Sequence, residues 1–203
     1  MAREGGEAPE NRMPDLAHLT RNRTLLRFRV LLTGDAGRSV EDRALLNNLA
    51  RLVDRALVHY EATQEHFDTW VEEGTRGNFG ALLRAAGTIE DCVTATRRSC
   101  SYATRLAGRG QLDPGVLPKT EDVTLVIAMR DAIQHTDERI LGINNAKGKT
   151  ERPPIEMGQH NFVQPENDAA VLGSHQLPWV TLANVLTALH IAVGDILGEP
   201  PPT

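Results

Sequence analysis

Apolar residues recur at alternating spacings of three and four along two long stretches of the chain. In the first stretch they are Leu46, Leu49, Val53, Ala56, Tyr60, Thr63, Phe67 and Trp70. In the second they are Leu82, Ala86, Ile89, Val93, Thr96, Cys100, Ala103 and Ala107. Such heptad spacing is typical of helices that pack along their length. We therefore predict a first helix from Ser39, with Asp42 completing a capping box, to Gly74. A second helix should run from about Asn78 to Gly108.

Two shorter amphipathic stretches follow, separated by an irregular one. The pattern predicts a third helix from about Thr120 to Leu141 and a fourth from near Pro178 to Gly198. Residues 142–178 break the helical pattern and hold a possible β-hairpin, whose strands at 161–163 and 169–172 flank a proline-containing turn. The predicted fold class is all-α. It is an up-and-down bundle of four to five helices, with long first and second helices and a small irregular or β-hairpin insertion before the last helix.

This pattern describes one domain. Residues 1–15 are polar and acidic and are predicted to form a flexible N-terminal tail. Residues 16–198 form the bundle domain, within which residues 16–33 fit either a helix or a strand. Residues 199–203 are a proline-rich tail. The chain has 203 residues, enough to bury a core without disulfides or metals.

Composition narrows the classes of protein that this bundle can belong to. Only eight residues are aromatic, so the core should be mostly aliphatic. None of the eleven prolines lies between Pro14 and Pro114, which leaves room for long helices. We find no apolar run of about 18 residues, as a membrane span needs, and no apolar signal stretch near the N-terminus. These observations predict a cytoplasmic protein that neither enters a membrane nor is secreted.

The two cysteines and the charges refine this expectation. Cys92 and Cys100 would lie about 12 Å apart on one helix, too far for a disulfide, so they should be reduced and buried. The formal net charge of −5 argues against a nucleic-acid coat protein but leaves room for a local basic site. Arg97, Arg98 and Arg105 crowd the last turns of the second helix. Arginine favours bidentate contacts with phosphate or carboxylate groups.

The third helix has the most suggestive polar face. Its core stripe consists of Val126, Met129, Ile133 and Ile140. At 100° per residue, Arg130 falls on the flank of this stripe, while Asp131 and His135 fall nearly opposite it, one turn apart. Ile127 and Ala128 also point away from the stripe. An outward face with these apolar residues suggests a cover, such as a second copy of the chain.

At these residues the sequence resembles a known family. Arg130 to His135, read as Arg-Asp-Ala-Ile-Gln-His, fit the R-x4-6-H motif of the HEPN superfamily, with a polar residue after the arginine. The segment from Met129 to Arg139 resembles the signature helix of that superfamily. The resemblance implies a small α-helical bundle that is a metal-independent endoribonuclease. It also implies a motif that meets its symmetry mate at a homodimer cleft, and a role as a toxin or defence effector.

The resemblance implies a role for each residue of the motif. His135 would take the proton from an RNA 2′-hydroxyl or protonate the leaving oxygen. Arg130 would hold the scissile phosphate and stabilise the transition state. Asp131 would orient His135 or assist Arg130. The RNA-binding residues would be Arg97, Arg98, Arg105, Lys147 and Lys149. The implied partners are RNA, a second copy of the chain and an antitoxin or regulatory protein, with no cofactor and no metal.

Two other interpretations of the function stay open at this point. The heptad seams equally suit a non-catalytic bundle that dimerises or binds a partner protein. A HEPN-like domain that has lost catalysis would bind RNA or nucleotides. Other sites are poorly supported: Gly142 to Thr150 lacks the spacing and the preceding strand of a phosphate-binding loop. His59 and His66 lie about 10 Å apart along one helix, too far to share a metal.

Overall fold

The computed structural model describes residues 13–19, 38–73, 79–136 and 162–197. Four α-helices lie in these ranges: α1 (Val40–Glu73), α2 (Phe79–Gly108), α3 (Thr120–Gln134) and α4 (Trp179–Leu197). Three short strands precede α4: β1 (Gln164–Pro165), β2 (Ala169–Leu172) and β3 (His175–Pro178). Short 3-10 helices lie at Ala17–Leu19 and Pro114–Val116. The protein is a helical bundle with a small antiparallel sheet before the last helix, as the sequence predicted in outline.

The long helices α1 and α2 form an antiparallel pair. Three contacts show the direction. As the residue number on α1 increases, the number of the residue that it contacts on α2, or just after it, decreases. Arg109 bonds to Asp42, Arg55 bonds to Asp91 at 3.3 Å, and the hydroxyl groups of Thr63 and Thr88 lie 2.9 Å apart. The predicted seam of α1 is buried except for Trp70, which is half-buried. The predicted seam of α2 is buried except for Leu82 and Ala107, which are half-buried.

The start of α1 has the predicted cap. The Ser39 hydroxyl accepts the Asp42 backbone N–H at 3.1 Å and donates to the Asp42 carboxylate at 2.9 Å. Arg109, just past the end of α2, donates to the same carboxylate and to the Ser39 hydroxyl. The hydrogen bond from Arg109 holds the pKa of the Asp42 carboxyl below its usual range. One cluster thus joins the start of α1 to the end of α2.

This cluster predicts a pH-dependent contribution to stability. Because the pKa of Asp42 is lower in the folded chain than in the unfolded chain, the ionised pair stabilises the fold above about pH 4. That contribution is lost as the pH falls through the folded pKa. We expect Arg109→Gln to lower the free energy of unfolding at neutral pH, as measured by urea titration. The difference in this free energy between the variant and the wild type should become smaller in acid. Arg84→Gln on α2 is the control. A gap of equal size in acid and at neutral pH contradicts the assignment.

The N-terminal segment packs on α1. Met13, Leu16 and Leu19 are buried, and the Tyr60 hydroxyl donates to the Pro14 carbonyl at 3.0 Å. Met13 and Pro14, which the polar composition assigned to a flexible tail, therefore contact the bundle, whereas Asp15 is exposed. The reason is that Met13 supplies an apolar side chain within an otherwise polar stretch. Residues 1–12 and 20–37 lie outside the described residues, and so does most of the ambiguous segment.

The sheet corrects the predicted hairpin. β1 starts three residues later than predicted and includes Pro165, which pairs with Ala170. β2 matches the predicted second strand. The third strand, β3, was missed, and it pairs with β2 through a two-residue turn at Gly173 and Ser174. Gly173 adopts a φ of 60°, which favours glycine and suits such a hairpin turn. The glycine-serine pair was the signal available in the sequence.

α3 begins at Thr120 as predicted but ends at Gln134, not at Leu141. His135 is the C-cap residue, with φ −103° and ψ 15°. The Thr136 hydroxyl donates to the Ala132 carbonyl at 3.0 Å. Residues 137–141 lie outside the described range.

α4 is apolar over most of its length. Its residues Trp179–Ile196 are long and apolar enough to cross a membrane by length and composition, with a mean hydropathy of 1.4. However, 61% of this segment is buried within the protein, where Leu182, Val185, Leu189 and Val193 face the core. A core helix of a bundle passes the same test, because it also carries apolar residues on most of its surface. The burial is consistent with a soluble protein.

Candidate functional site

The C-terminal half of α2 presents a basic face. Arg97, Ser101 and Arg105 follow one another at intervals of four, and Arg98 and Tyr102 form a second row beside them. Successive residues at this spacing stack on one side of a helix. The opposite side of the same segment is buried through small residues: Thr96, Ser99, Cys100 and Ala103. The core therefore holds α2 in place while its basic face stays accessible.

α3 completes this face with one further arginine. Arg97, Arg98, Ser101, Tyr102, Arg105 and Arg130 line a cavity of about 250 Å³, which we call the arginine pocket. Arg130 is one-third exposed. The structure thus brings the arginine of the motif together with the three α2 arginines expected to bind RNA. Lys147 and Lys149, the other two expected RNA contacts, lie outside the described residues.

The charges of the arginine pocket are unevenly compensated. Arg130 donates to the Asp131 carboxylate at 3.2 Å. Among the described residues, no carboxylate lies within 4.0 Å of the side-chain nitrogens of Arg97, Arg98 or Arg105. Four guanidinium groups against one carboxylate leave an excess of three positive charges. Such a cluster favours an anionic ligand, because guanidinium groups bind phosphate oxygens in a bidentate geometry.

His135 lies apart from this pocket. It is half-buried, and its backbone N–H donates to the Asp131 carbonyl at 3.1 Å. It does not line the arginine pocket. Five residues of helix separate it from Arg130 by about 140° around the axis, so the two side chains leave α3 in different directions. The Asp131 carboxylate accepts its hydrogen bond from Arg130.

Ser101 and Tyr102 were missed by the sequence reasoning. Both are half-buried and line the arginine pocket. The available signal was their position four residues after Arg97 and Arg98, which places each of them on the same face as the arginine before it. Arg109, although close in sequence to this cluster, bonds to Asp42 instead of lining the pocket.

Other reactive groups are poorly placed for chemistry. Cys92 and Cys100 are free and buried, as predicted. Burial raises the pKa of each thiol to about 12, so neither forms a thiolate readily near neutral pH. Within residues 13–19, 38–73, 79–136 and 162–197, no group of three His, Cys, Asp or Glu side chains is arranged to hold a metal ion. The arginine pocket is therefore the strongest candidate in the described part of the chain.

Comparisons with family models, curated proteins and solved structures find no match to this chain.

Proposed function

We propose that the protein is a metal-independent endoribonuclease of HEPN type, which binds RNA phosphates in the arginine pocket and cleaves at a homodimer cleft. The observation that carries this proposal is that Arg130 lines the same pocket as Arg97, Arg98 and Arg105. The arginine of the motif therefore lies beside three other cations that can bind the phosphates of the RNA backbone. We further propose that the protein acts in the cytoplasm as a toxin or defence effector and that an antitoxin or regulatory protein inhibits its activity.

The proposed chemistry uses the protein's own side chains. The imidazole of His135 takes the proton from a ribose 2′-hydroxyl, and the 2′-oxygen attacks the adjacent phosphorus. The bond to the 5′-oxygen of the next nucleotide breaks, and that oxygen takes up a proton. The products are a 2′,3′-cyclic phosphate and a 5′-hydroxyl end. Arg130 binds the non-bridging oxygens, where negative charge accumulates during the attack.

The geometry of α3 supports a site shared between two copies. Arg130 and His135 leave the helix in directions about 140° apart, so one phosphate meets both groups more readily when they come from different copies. Ile127 and Ala128 are half-buried on the face that such a copy would cover. A C2 dimer built on this face would bring His135 of the partner subunit towards Arg130.

Cleavage of a mixed RNA in EDTA tests the enzyme proposal. We expect the wild-type protein, purified without any antitoxin, to cut RNA while EDTA removes metal ions, and to leave ends that carry cyclic phosphate. Gel electrophoresis before and after acid opening of the cyclic phosphate identifies these ends. DNA of the same sequence is the control, because it lacks the attacking 2′-hydroxyl. No cleavage of RNA at any protein concentration contradicts the enzyme proposal.

A second candidate is a non-catalytic bundle that binds a partner protein, and one observation favours it. Val180 and Ile191 on α4 are 58% and 36% exposed. Eleven residues apart, they lie within about 20° of each other around the helix. Exposed apolar residues aligned on one face favour a protein contact. A chain that binds RNA in EDTA without cutting it would instead be a HEPN-like domain that has lost catalysis.

A further inference from the structure

We infer that the α2 side of the arginine pocket, formed by Arg97, Arg98 and Arg105, binds a terminal phosphate monoester of RNA in preference to a bridging phosphodiester. This inference deepens the proposed function, since it assumes that RNA is the ligand of the arginine pocket. It concerns which phosphate the pocket selects, and hence which end of an RNA the protein holds while it acts elsewhere on the strand.

Charge is the first reason. Arg130 is paired with Asp131 and is assigned to the scissile phosphate, but among the described residues no carboxylate lies within 4.0 Å of the side-chain nitrogens of Arg97, Arg98 or Arg105, which leaves three uncompensated positive charges. A bridging phosphodiester carries one negative charge. A phosphate monoester carries about 1.5 to 2 negative charges near neutral pH and presents three strong acceptor oxygens. Since the Coulomb attraction scales with the product of the charges, a clustered set of cations favours the monoester.

The hydroxyl groups of the pocket are the second reason. Elsewhere on α2 the hydroxyls of Thr96, Ser99 and Thr104 donate to the carbonyl one turn back, at 2.8 to 2.9 Å. The hydroxyls of Ser101 and Tyr102 make no hydrogen bond with the described residues, although both side chains line the pocket. These two donors therefore stay available for a ligand. A monoester supplies the additional oxygen that they can bind.

The experiment measures binding without cleavage. Three 2′-O-methyl RNA oligomers of one sequence carry a 5′-phosphate, a 3′-phosphate or hydroxyls at both ends, with an internal fluorophore. We expect fluorescence anisotropy to give at least about tenfold tighter binding for one phosphorylated oligomer than for the hydroxyl oligomer, as charge-assisted hydrogen bonds allow. Equal affinities for all three overturn the inference. Inorganic phosphate is the competitor: displacement at concentrations similar to those of the phosphorylated oligomer assigns the pocket to free phosphate and also overturns it.

Three variants locate the effect. Arg97→Gln and Arg105→Gln should each abolish most of the preference for a phosphorylated end, while circular dichroism shows a retained fold. Arg84→Gln removes the same charge from an exposed position on α2 outside the pocket, so the preference should persist. Loss of the preference in all three variants overturns the assignment to this pocket. These oligomers cannot be cleaved, so this binding assay is independent of the cleavage assay. If the protein cleaves RNA but binds all three oligomers equally, only this inference is rejected. If it prefers a phosphorylated end but does not cleave RNA, only the enzyme proposal is rejected.

Discussion

His135→Ala should lower the rate of RNA cleavage by about 10²- to 10⁴-fold, the usual contribution of a general acid or base. The expectation follows from the proposed role of His135, whose imidazole takes the proton from the attacking 2′-hydroxyl. Arg130→Ala should have an effect of similar size, since it removes the cation expected to bind the scissile phosphate. Initial rates on a labelled RNA in EDTA measure both variants.

The matched control is His66→Ala, which removes a half-buried histidine from α1. It should cleave at close to the wild-type rate. Wild-type rates in both His135→Ala and Arg130→Ala would contradict the site assignment, even if the protein proves to be a ribonuclease.

Mixing the two inactive variants tests whether the site is shared between copies. When Arg130→Ala and His135→Ala subunits exchange at random, half of the dimers are mixed, and one of the two sites in each mixed dimer is intact. We therefore expect activity to recover to about a quarter of the wild-type value in a C2 dimer. No recovery after verified subunit exchange would mean that both residues act within one copy.

Trp179→Ala should lower the free energy of unfolding by about 3 to 5 kcal/mol, as expected for a fully buried large aromatic residue. Trp179 is completely buried at the junction of β3 and α4. Its indole N–H donates to the Glu166 carbonyl at 2.8 Å, and its backbone N–H donates to the Asp168 carbonyl at 2.9 Å. One side chain thus fills the core and ties the β1–β2 turn to the start of α4.

Urea unfolding followed by far-UV circular dichroism measures this loss. Trp179→Phe is the matched control, because it keeps an aromatic ring but removes the indole donor. It should cost less than the alanine variant, since most of the core volume stays filled. A loss below about 1 kcal/mol for Trp179→Ala would contradict this account of the junction.

The elements predicted well are those in which local signals and burial agree. The Ser39–Asp42 cap and the α1 seam from Leu46 to Phe67 were both visible in the sequence, because capping and heptad spacing are local properties of the chain. β3 was missed because His175–Pro178 contains a single strong apolar residue, Leu177, and ends in proline. The glycine-serine pair of the turn was a local signal for a hairpin, but the strand conformation of residues 175–178 itself depends on pairing with β2.

In the last turns of α2, the sequence determines the directions of the arginine side chains, but only the folded chain determines their partners. Helical spacing places Arg97, Arg98 and Arg105 on one broad face and puts Arg109 close to the same direction. Only the tertiary structure distinguishes them: Arg109 bonds to Asp42 on α1, while the other three meet Arg130 of α3 around a pocket. The physical reason is that spacing sets the direction of a side chain from its own helix. The neighbouring helix in that direction is set by packing between segments distant in sequence, and it decides whether an arginine is neutralised by a carboxylate or left to bind a ligand.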